Sequence, residues 1–269
     1  MSKKEKRILF SWSGGGLPGL DIHTGIWKAL SSFDIYPTTN VGTSAGAIMA
    51  ALNSSGQGIV IIEKIMRDLK DKDVRSKRFM WRSRIAFINS FLKHDKIEKL
   101  LRQLLPPTFN RLVKPLEVYF TVEQTGQSTF SSSGDLIEPI LASMSIAGVF
   151  PPVVIDNGIH LVDGGTSANL PLPQDWKTYD EIYLLVAARP LYYRKSRGII
   201  TRLMYNIDLL LEDQIRDTIA RVRRHKPGRY VHVLRPQVRA TRGSLHFDHD
   251  LINEAYIQTQ QQLQRESNK

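Results

Sequence analysis

Twice in its first 53 residues the chain repeats one arrangement: a short apolar run, a glycine cluster, then a helix-forming run. Arg7 to Trp12 enters Gly14-Gly15-Gly16 and is followed by a helical run from Leu20 to Leu30. Thr38 to Val41 enters Gly42-Thr43-Ser44-Ala45-Gly46 and is followed by Ala47 to Asn53. A strand that must pair in parallel with the next can reach it only through a crossover, and a helix is the usual crossover. Repeated strand-turn-helix units therefore predict an α/β domain with a largely parallel sheet covered on both faces.

The rest of the chain keeps the alternation. Helices are predicted over Ile59 to Leu69, with Ile61, Ile65 and Leu69 on one face, and from Asp95, as cap, to about Leu105, where Pro106-Pro107 stops it. Leu116 to Glu123 and Ser128 to Ser131 flank Thr125-Gly126, a hairpin pattern. A helix is expected over Leu136 to Ile146. Val153-Ile155 and Ile159-Val162 flank Asp156-Asn157-Gly158, a second hairpin. Glu181 to Ala188 reads as a strand buried on both faces, Ile199 to Arg221 as a long helix, Arg229 to Leu234 as a strand and Asp250 to Gln264 as the last helix. No repeat or long linker divides the 269 residues, so a single domain over 1–269 is expected.

Three constellations carry chemistry. In Gly42-Thr43-Ser44-Ala45-Gly46 the pattern G-x-S-x-G would set a serine hydroxyl exposed on a sharp strand-to-helix turn, with glycines permitting the tight backbone. The helix that follows directs free N–H groups at a reacting carbonyl oxygen. In Gly14-Gly15-Gly16-Leu17-Pro18-Gly19, successive N–H groups without side chains suit a negative charge. That loop fits an oxyanion hole, and it also fits the dinucleotide fingerprint G-x-G-x-x-G, although Asp34 is poorly placed to serve as that motif's acidic residue. The third is Leu161-Val162-Asp163-Gly164-Gly165, a carboxylate at a strand end whose glycines permit close approach to another loop.

In this order, the three motifs resemble those of the patatin-like phospholipases. Ala142-Ser143-Met144-Ser145-Ile146-Ala147-Gly148-Val149-Phe150-Pro151-Pro152 is similar to the family's A-S-x-A-x-P-x-x-F-P-P block, and Asn169-Leu170-Pro171 to its N-x-P. The resemblance covers roughly Lys6 to Gln264. It implies a three-layer α/β/α sandwich and a Ser–Asp dyad that uses neither histidine, metal nor cofactor. Ser44 matches the nucleophile, Asp163 its partner, and Gly14, Gly15 and Gly16 the oxyanion loop, with Ala45 a further oxyanion or substrate-binding position. The implied substrates are fatty-acyl esters of phospholipids or lysophospholipids. Pro18 stands where the family usually has Arg or Lys, Ser145 where it has Ala, and Ala147 where it has Pro. Two other readings stay open: a weakly active or inactive lipid-binding protein, and a Ser-Asp-His esterase recruiting His246 or His249. Only about two strands precede Ser44, fewer than the esterase fold places before its nucleophile.

The formal charge is +11, which favours anionic partners. Arg75 to Lys93 holds six basic residues and no acid, and in a helix Trp81, Ile85, Ile88 and Leu92 would share one face. Such a segment suits peripheral contact with an anionic membrane surface. Arg189 to Arg197 and Arg221 to Lys226 are further basic stretches. No nucleic-acid recognition motif accompanies them, and no histidine pair has zinc-protease spacing. The absence of cysteine excludes disulfides and thiolate chemistry. The N-terminus shows no signal-peptide core and no stretch reaches membrane-span length, so a cytoplasmic chain, peripheral at membranes, is expected. The sequence sets neither the lipid headgroup nor the oligomeric state.

Overall fold

A computed structural model describes residues 6–74, 94–147, 149–187, 199–226, 228–238 and 246–268. The basic stretches at 75–93 and 189–197 lie outside these residues. The strands are β1 (Ile8–Trp12), β2 (Thr39–Thr43), β3 (Leu116–Val122), β4 (Gln127–Ser131), β5 (Val153–Ile155), β6 (Ile159–Asp163), β7 (Glu181–Leu185) and β8 (Val231–Leu234). The helices are α1 (Gly16–Ser32), α2 (Ala45–Ser54), α3 (Ile59–Asp68), α4 (Asp71–Val74), α5 (Asp95–Leu104), α6 (Ile137–Ser143), α7 (Ile199–His225) and α8 (Asp250–Ser267).

Among the described residues these strands form one sheet in the order β5-β6-β3-β2-β1-β7-β8, with β4 also paired to β3. From β3 through β2, β1 and β7 to β8 every neighbour is parallel, while β4, β5 and β6 pair antiparallel. The sheet is mixed but mostly parallel. Strands β1 and β7 carry apolar residues on both faces because both faces are covered. On β1, Phe10 and Trp12 join the larger core, which also takes in residues of α1, α2, α3, α5, α6 and α8. Leu9 turns the other way, into a core with Ile215 and Val222 of α7, Trp176 and Tyr179. Strand β7 divides in the same manner, Tyr183 and Leu185 against Ile182 and Leu184. Period-two alternation thus feeds two helical layers across one sheet, the α/β/α sandwich of the expectation.

Local boundaries differ where capping and packing override the pattern. Helix α1 begins at Gly16, directly out of the glycine cluster, and not at Leu20. Asp95 is the first residue of α5 and His94 holds the cap position, without a side-chain cap bond. In α3 the buried residues are Ile62 and Met66, while Ile61 is 57% exposed. The run Ile59 to Ile62 is apolar all round, so spacing alone could not choose the buried face. The third basic stretch closes α7, where Arg221, Arg223 and Arg224 point to solvent around a buried Val222. Cations at a helix C-terminus are stabilised by its carbonyl dipoles. Among the described residues, no helix is long and apolar enough to cross a membrane.

One edge of β3 sets the site. Leu116 to Tyr119 pair with Asn40 to Thr43 of β2, and Phe120 to Val122 pair with Asp163 to Leu161 of β6. Strand β4 occupies the opposite edge over Val118 to Val122. Strands β2 and β6 therefore share one edge of β3 and meet there, C-terminal end to C-terminal end. Thr43 pairs with Tyr119, and Asp163 with the next residue, Phe120.

Candidate active site

That meeting point brings the Ser44 turn and the Asp163 turn together. Ser44 leaves β2 with φ 54° and ψ −125°, a conformation rare for a residue with a side chain, and it immediately precedes α2. The bend needs glycine on its far side: a Cβ on Gly46 would collide with the carbonyls of Trp12 and Ser13. The Ser44 N–H donates to Ser143 Oγ at 2.8 Å, and Ser143 Oγ donates in turn to the Tyr119 carbonyl at 2.5 Å. Ser143 therefore ties the strained turn to the strand that aligns both loops. Ser44 is only 6% exposed, so the expectation of a fully exposed hydroxyl is not met. The glycine loop lies against it, Gly14 approaching so closely that a Cβ there would stand 3.4 Å from Ser44 Cβ and collide with Asn169 Oδ1.

Asp163 ends β6 and is 7% exposed. Its Oδ1 accepts the Gly165 N–H at 2.7 Å, whereas Oδ2 has no hydrogen-bond partner. Burial pushes the carboxyl up to about 6, against the opposing influence of the Ser44 hydroxyl and the Gly165 N–H. Ser44 is thus close enough to favour the charged carboxylate, although no bond of ordinary geometry joins the two side chains. The Asp163 N–H donates to the Ser145 carbonyl at 3.0 Å. The last residue of α6 and the turn that follows it consequently hold both loops, Ser44 through Ser143 and Asp163 through Ser145.

The glycine loop is fixed from below. Ser13 N–H donates to Leu185 O at 3.0 Å, and Ser13 Oγ accepts the Ala187 N–H at 2.9 Å. His23, fully buried, places Nε2 2.8 Å from the Ser13 carbonyl, and burial lowers its pKa to about 4, so the ring is neutral and Nε2–H is the donor. Gly14 N–H donates to the Asn169 carbonyl at 3.0 Å. Among the described residues the N–H groups of Gly15, Gly16 and Ala45 meet no acceptor. Gly15 and Gly16 open α1 and Ala45 opens α2, so two helix N-termini converge with uncapped donors beside Ser44.

The remaining expected residues lie elsewhere. His246 is bound to Asp71, and His249 sits between Asp21 Oδ1 and the Leu69 carbonyl, so neither is directed to Ser44. Asp34 falls in the turn after α1 with φ 55° and not at a strand end, which removes the support for a dinucleotide fingerprint. Sequence reasoning missed Ser143 as the holder of the Ser44 turn and Asn169 as the brace between the glycine loop and the Asp163 turn. Both sit inside quoted motifs, but their partners are distant in sequence.

Comparison with known proteins bears on the family and the fold. Over 167 residues the chain is 28% identical to the lysophospholipase nte1 of Aspergillus fumigatus, a match covering 58% of this chain and 10% of that protein. It is 30% identical over 172 residues to the lysophospholipase NTE1 of Coccidioides immitis, again 58% of this chain and 10% of the relative. The matched segment therefore spans about a tenth of the length of these relatives. Among solved structures, VipD from Legionella pneumophila superposes with a TM-score of 0.53 at 15% identity, covering 98% of this chain and 67% of that one, a likeness of fold. The model of the family described as patatin-like phospholipase matches residues 11–176, which include Ser44 and Asp163. The chain belongs to the patatin-like phospholipase family.

Proposed function

We propose that the chain is a serine acyl hydrolase that cleaves fatty-acyl esters of phospholipids or lysophospholipids, with Ser44 as nucleophile and Asp163 as its base. The observation that carries this reading is the meeting of β2 and β6 on one edge of β3, which sets a strained serine beside a buried aspartate with one unsatisfied oxygen. A carboxylate with an ordinary pKa is a feeble base at neutral pH. A value near 6 brings Asp163 close to the optimum for general-base work while leaving it mostly ionised.

In the first step Ser44 Oγ attacks the acyl carbonyl carbon and its proton passes to Asp163 Oδ2. The carbonyl oxygen becomes an alkoxide held by the free N–H groups of Gly15, Gly16 and Ala45. Gly14, whose N–H is engaged by Asn169, serves the shape of the loop. Collapse expels the glyceryl alcohol, which takes the proton from Asp163 and leaves an acyl ester on Ser44. Water, deprotonated by Asp163, then attacks that ester; collapse releases the fatty acid, and the departing Ser44 Oγ takes the proton back from Asp163. The lysophospholipase names of the matched relatives favour a lysophospholipid substrate, and the +11 charge favours docking at an anionic membrane surface. No second reading gains an observation of its own.

The test is covalent trapping with a fluorophosphonate followed by peptide mapping. The label is expected on Ser44, and to disappear in Ser44→Ala. Labelling of another residue, or turnover that survives Ser44→Ala, refutes the assignment.

A further inference from the structure

Ser145 replaces the alanine usual in the family block, and the replacement is fully buried. A buried hydroxyl must find partners or destabilise the fold, and this one finds two. Ser145 Oγ lies 2.7 Å from the Leu141 carbonyl and 3.0 Å from His94 Nε2. A carbonyl can only accept, so the Ser145 proton goes to Leu141 and His94 must donate from Nε2. The imidazole is held in that orientation by stacking on Phe150, with ring centroids 5.3 Å apart and planes 7° from parallel. Desolvation lowers the pKa of His94 in spite of nearby Asp95 and Glu98, and the Nε2–H donor persists in either charge state. On its main chain Ser145 gives its N–H to Ala142 and takes the Asp163 N–H on its carbonyl. One side-chain bond and one backbone bond thus connect the start of α5 to the main chain of Asp163.

We propose that His94, acting through Ser145, is a positioning residue that fixes the end of β6 and keeps the Asp163 carboxyl in its dry setting. The inference rests on the catalytic reading for its effect on rate, but the positioning itself has its own readout. Neither His94 nor Ser145 touches the reacting atoms. Without the His94 bond, the Ser145 turn loses a tether and the Asp163 backbone that hangs from it can shift toward water. The desolvation that raises the Asp163 pKa would then weaken.

The experiment compares His94→Ala, Ser145→Ala, their double variant and His94→Gln, which keeps an N–H donor at a similar reach. The first readout is the Asp163 carboxyl titration, followed by carbon NMR. The second is kcat and KM on lysophosphatidylcholine micelles. In His94→Ala and Ser145→Ala the carboxyl is expected to titrate lower than in the unaltered chain, and kcat to fall about tenfold with KM unchanged; the double variant should fall no further, because one linked pair has been removed. His94→Gln should restore both readouts. An unchanged Asp163 titration in the two alanine variants overturns the proposal, and so does a His94→Gln variant that behaves like His94→Ala. If His94→Ala fails to fold, Ser145→Ala, the residue usual in the family and smaller by one oxygen, decides the titration. Should no protein turn over the lipid while the titrations follow the expected order, the catalytic reading fails and the positioning stands.

Discussion

Two buried aspartates of this molecule have opposite surroundings. Asp21 on α1 is fully buried, and both its oxygens are engaged: Oδ2 accepts the Asp248 N–H at 2.8 Å and Oδ1 faces His249 Nδ1 at 2.9 Å. Asp163 is nearly as buried, yet Oδ2 is left without a bond. Desolvation is the first cause of a raised pKa at both. At Asp21 the partners complete the carboxylate and fasten α1 to the segment that opens α8. At Asp163 one acceptor position is kept vacant beside Ser44. Burial alone does not distinguish the two carboxylates; what sets Asp163 apart is an open acceptor beside Ser44, the feature on which its proposed role as base rests.

Substituting each aspartate with asparagine breaks the comparison most sharply. Asp163→Asn keeps the shape but removes the base, so turnover is expected to fall by about 10³-fold or more, within the range for lost general-base catalysis. Asp21→Asn should leave kcat within a few-fold of the unaltered chain. Stability should move oppositely. The folded pKa of Asp163 lies above its unfolded value, so its contribution is favourable below pH 4 and is lost as pH rises through about 6. At neutral pH the buried charge therefore costs about 3 kcal/mol, and Asp163→Asn should raise the melting temperature. Asp21 also carries a raised pKa, but its two oxygens accept two separate bonds, and an asparagine has only one oxygen to offer the Asp248 N–H and His249 Nδ1; the lost bond outweighs the relieved charge, so Asp21→Asn should cost about 1 kcal/mol or more. Denaturant titrations of the two variants at pH 7.5 measure both signs. Equal losses of stability would erase the distinction.

The pH profile sharpens the same contrast. Asp163 must be ionised to accept the Ser44 proton, so kcat/KM should rise roughly tenfold per unit below about pH 6 and level off above it. A stopped assay between pH 4.5 and 8 reads this limb. It should persist in Asp21→Asn, because that carboxylate has no part in the reaction. A limb that moved with Asp21 instead would place the base in the wrong half of the molecule.

Much of this site was legible in the sequence because its chemistry is local. Glycines at 14 to 16, 42, 46, 164 and 165 announce tight turns, and Ser44 and Asp163 stand at strand ends beside them. The alternation of strands and helices likewise gave the layers. What was not legible is long-range register. Nothing in Ile159 to Asp163 says that β6 will run antiparallel onto the remaining edge of β3 and stop one residue from the end of β2. Ser143, Asn169 and His94 were silent for the same reason, since each acquires its role from a partner 24 to 155 positions away. At α3, Ile65 and Leu69 pack on the core as expected, while Ile61 was misplaced because four consecutive apolar residues carry no phase.

The smallest effect tests whether the Ser44 turn stores strain for the sake of its hydroxyl. A residue with a side chain at φ 54° and ψ −125° is held there by the Ser143 bond, the tight approach of Gly46 and the packing of α2. Such backbone costs of order 1 kcal/mol or more, and glycine occupies it freely. Ser44→Gly should therefore be about 1 kcal/mol more stable than Ser44→Ala, the difference exceeding what glycine loses through greater freedom in the unfolded chain. Both variants lack the hydroxyl, so both should be inactive and refuse the fluorophosphonate. Asp21 provides the control: Asp21→Gly and Asp21→Ala lie within a helix, where glycine is the worse residue by about 1 kcal/mol. The order of the two variants should reverse between the sites. If glycine is no better than alanine at position 44, the turn carries no strain, and the geometry that presents the nucleophile is simply the resting preference of the chain.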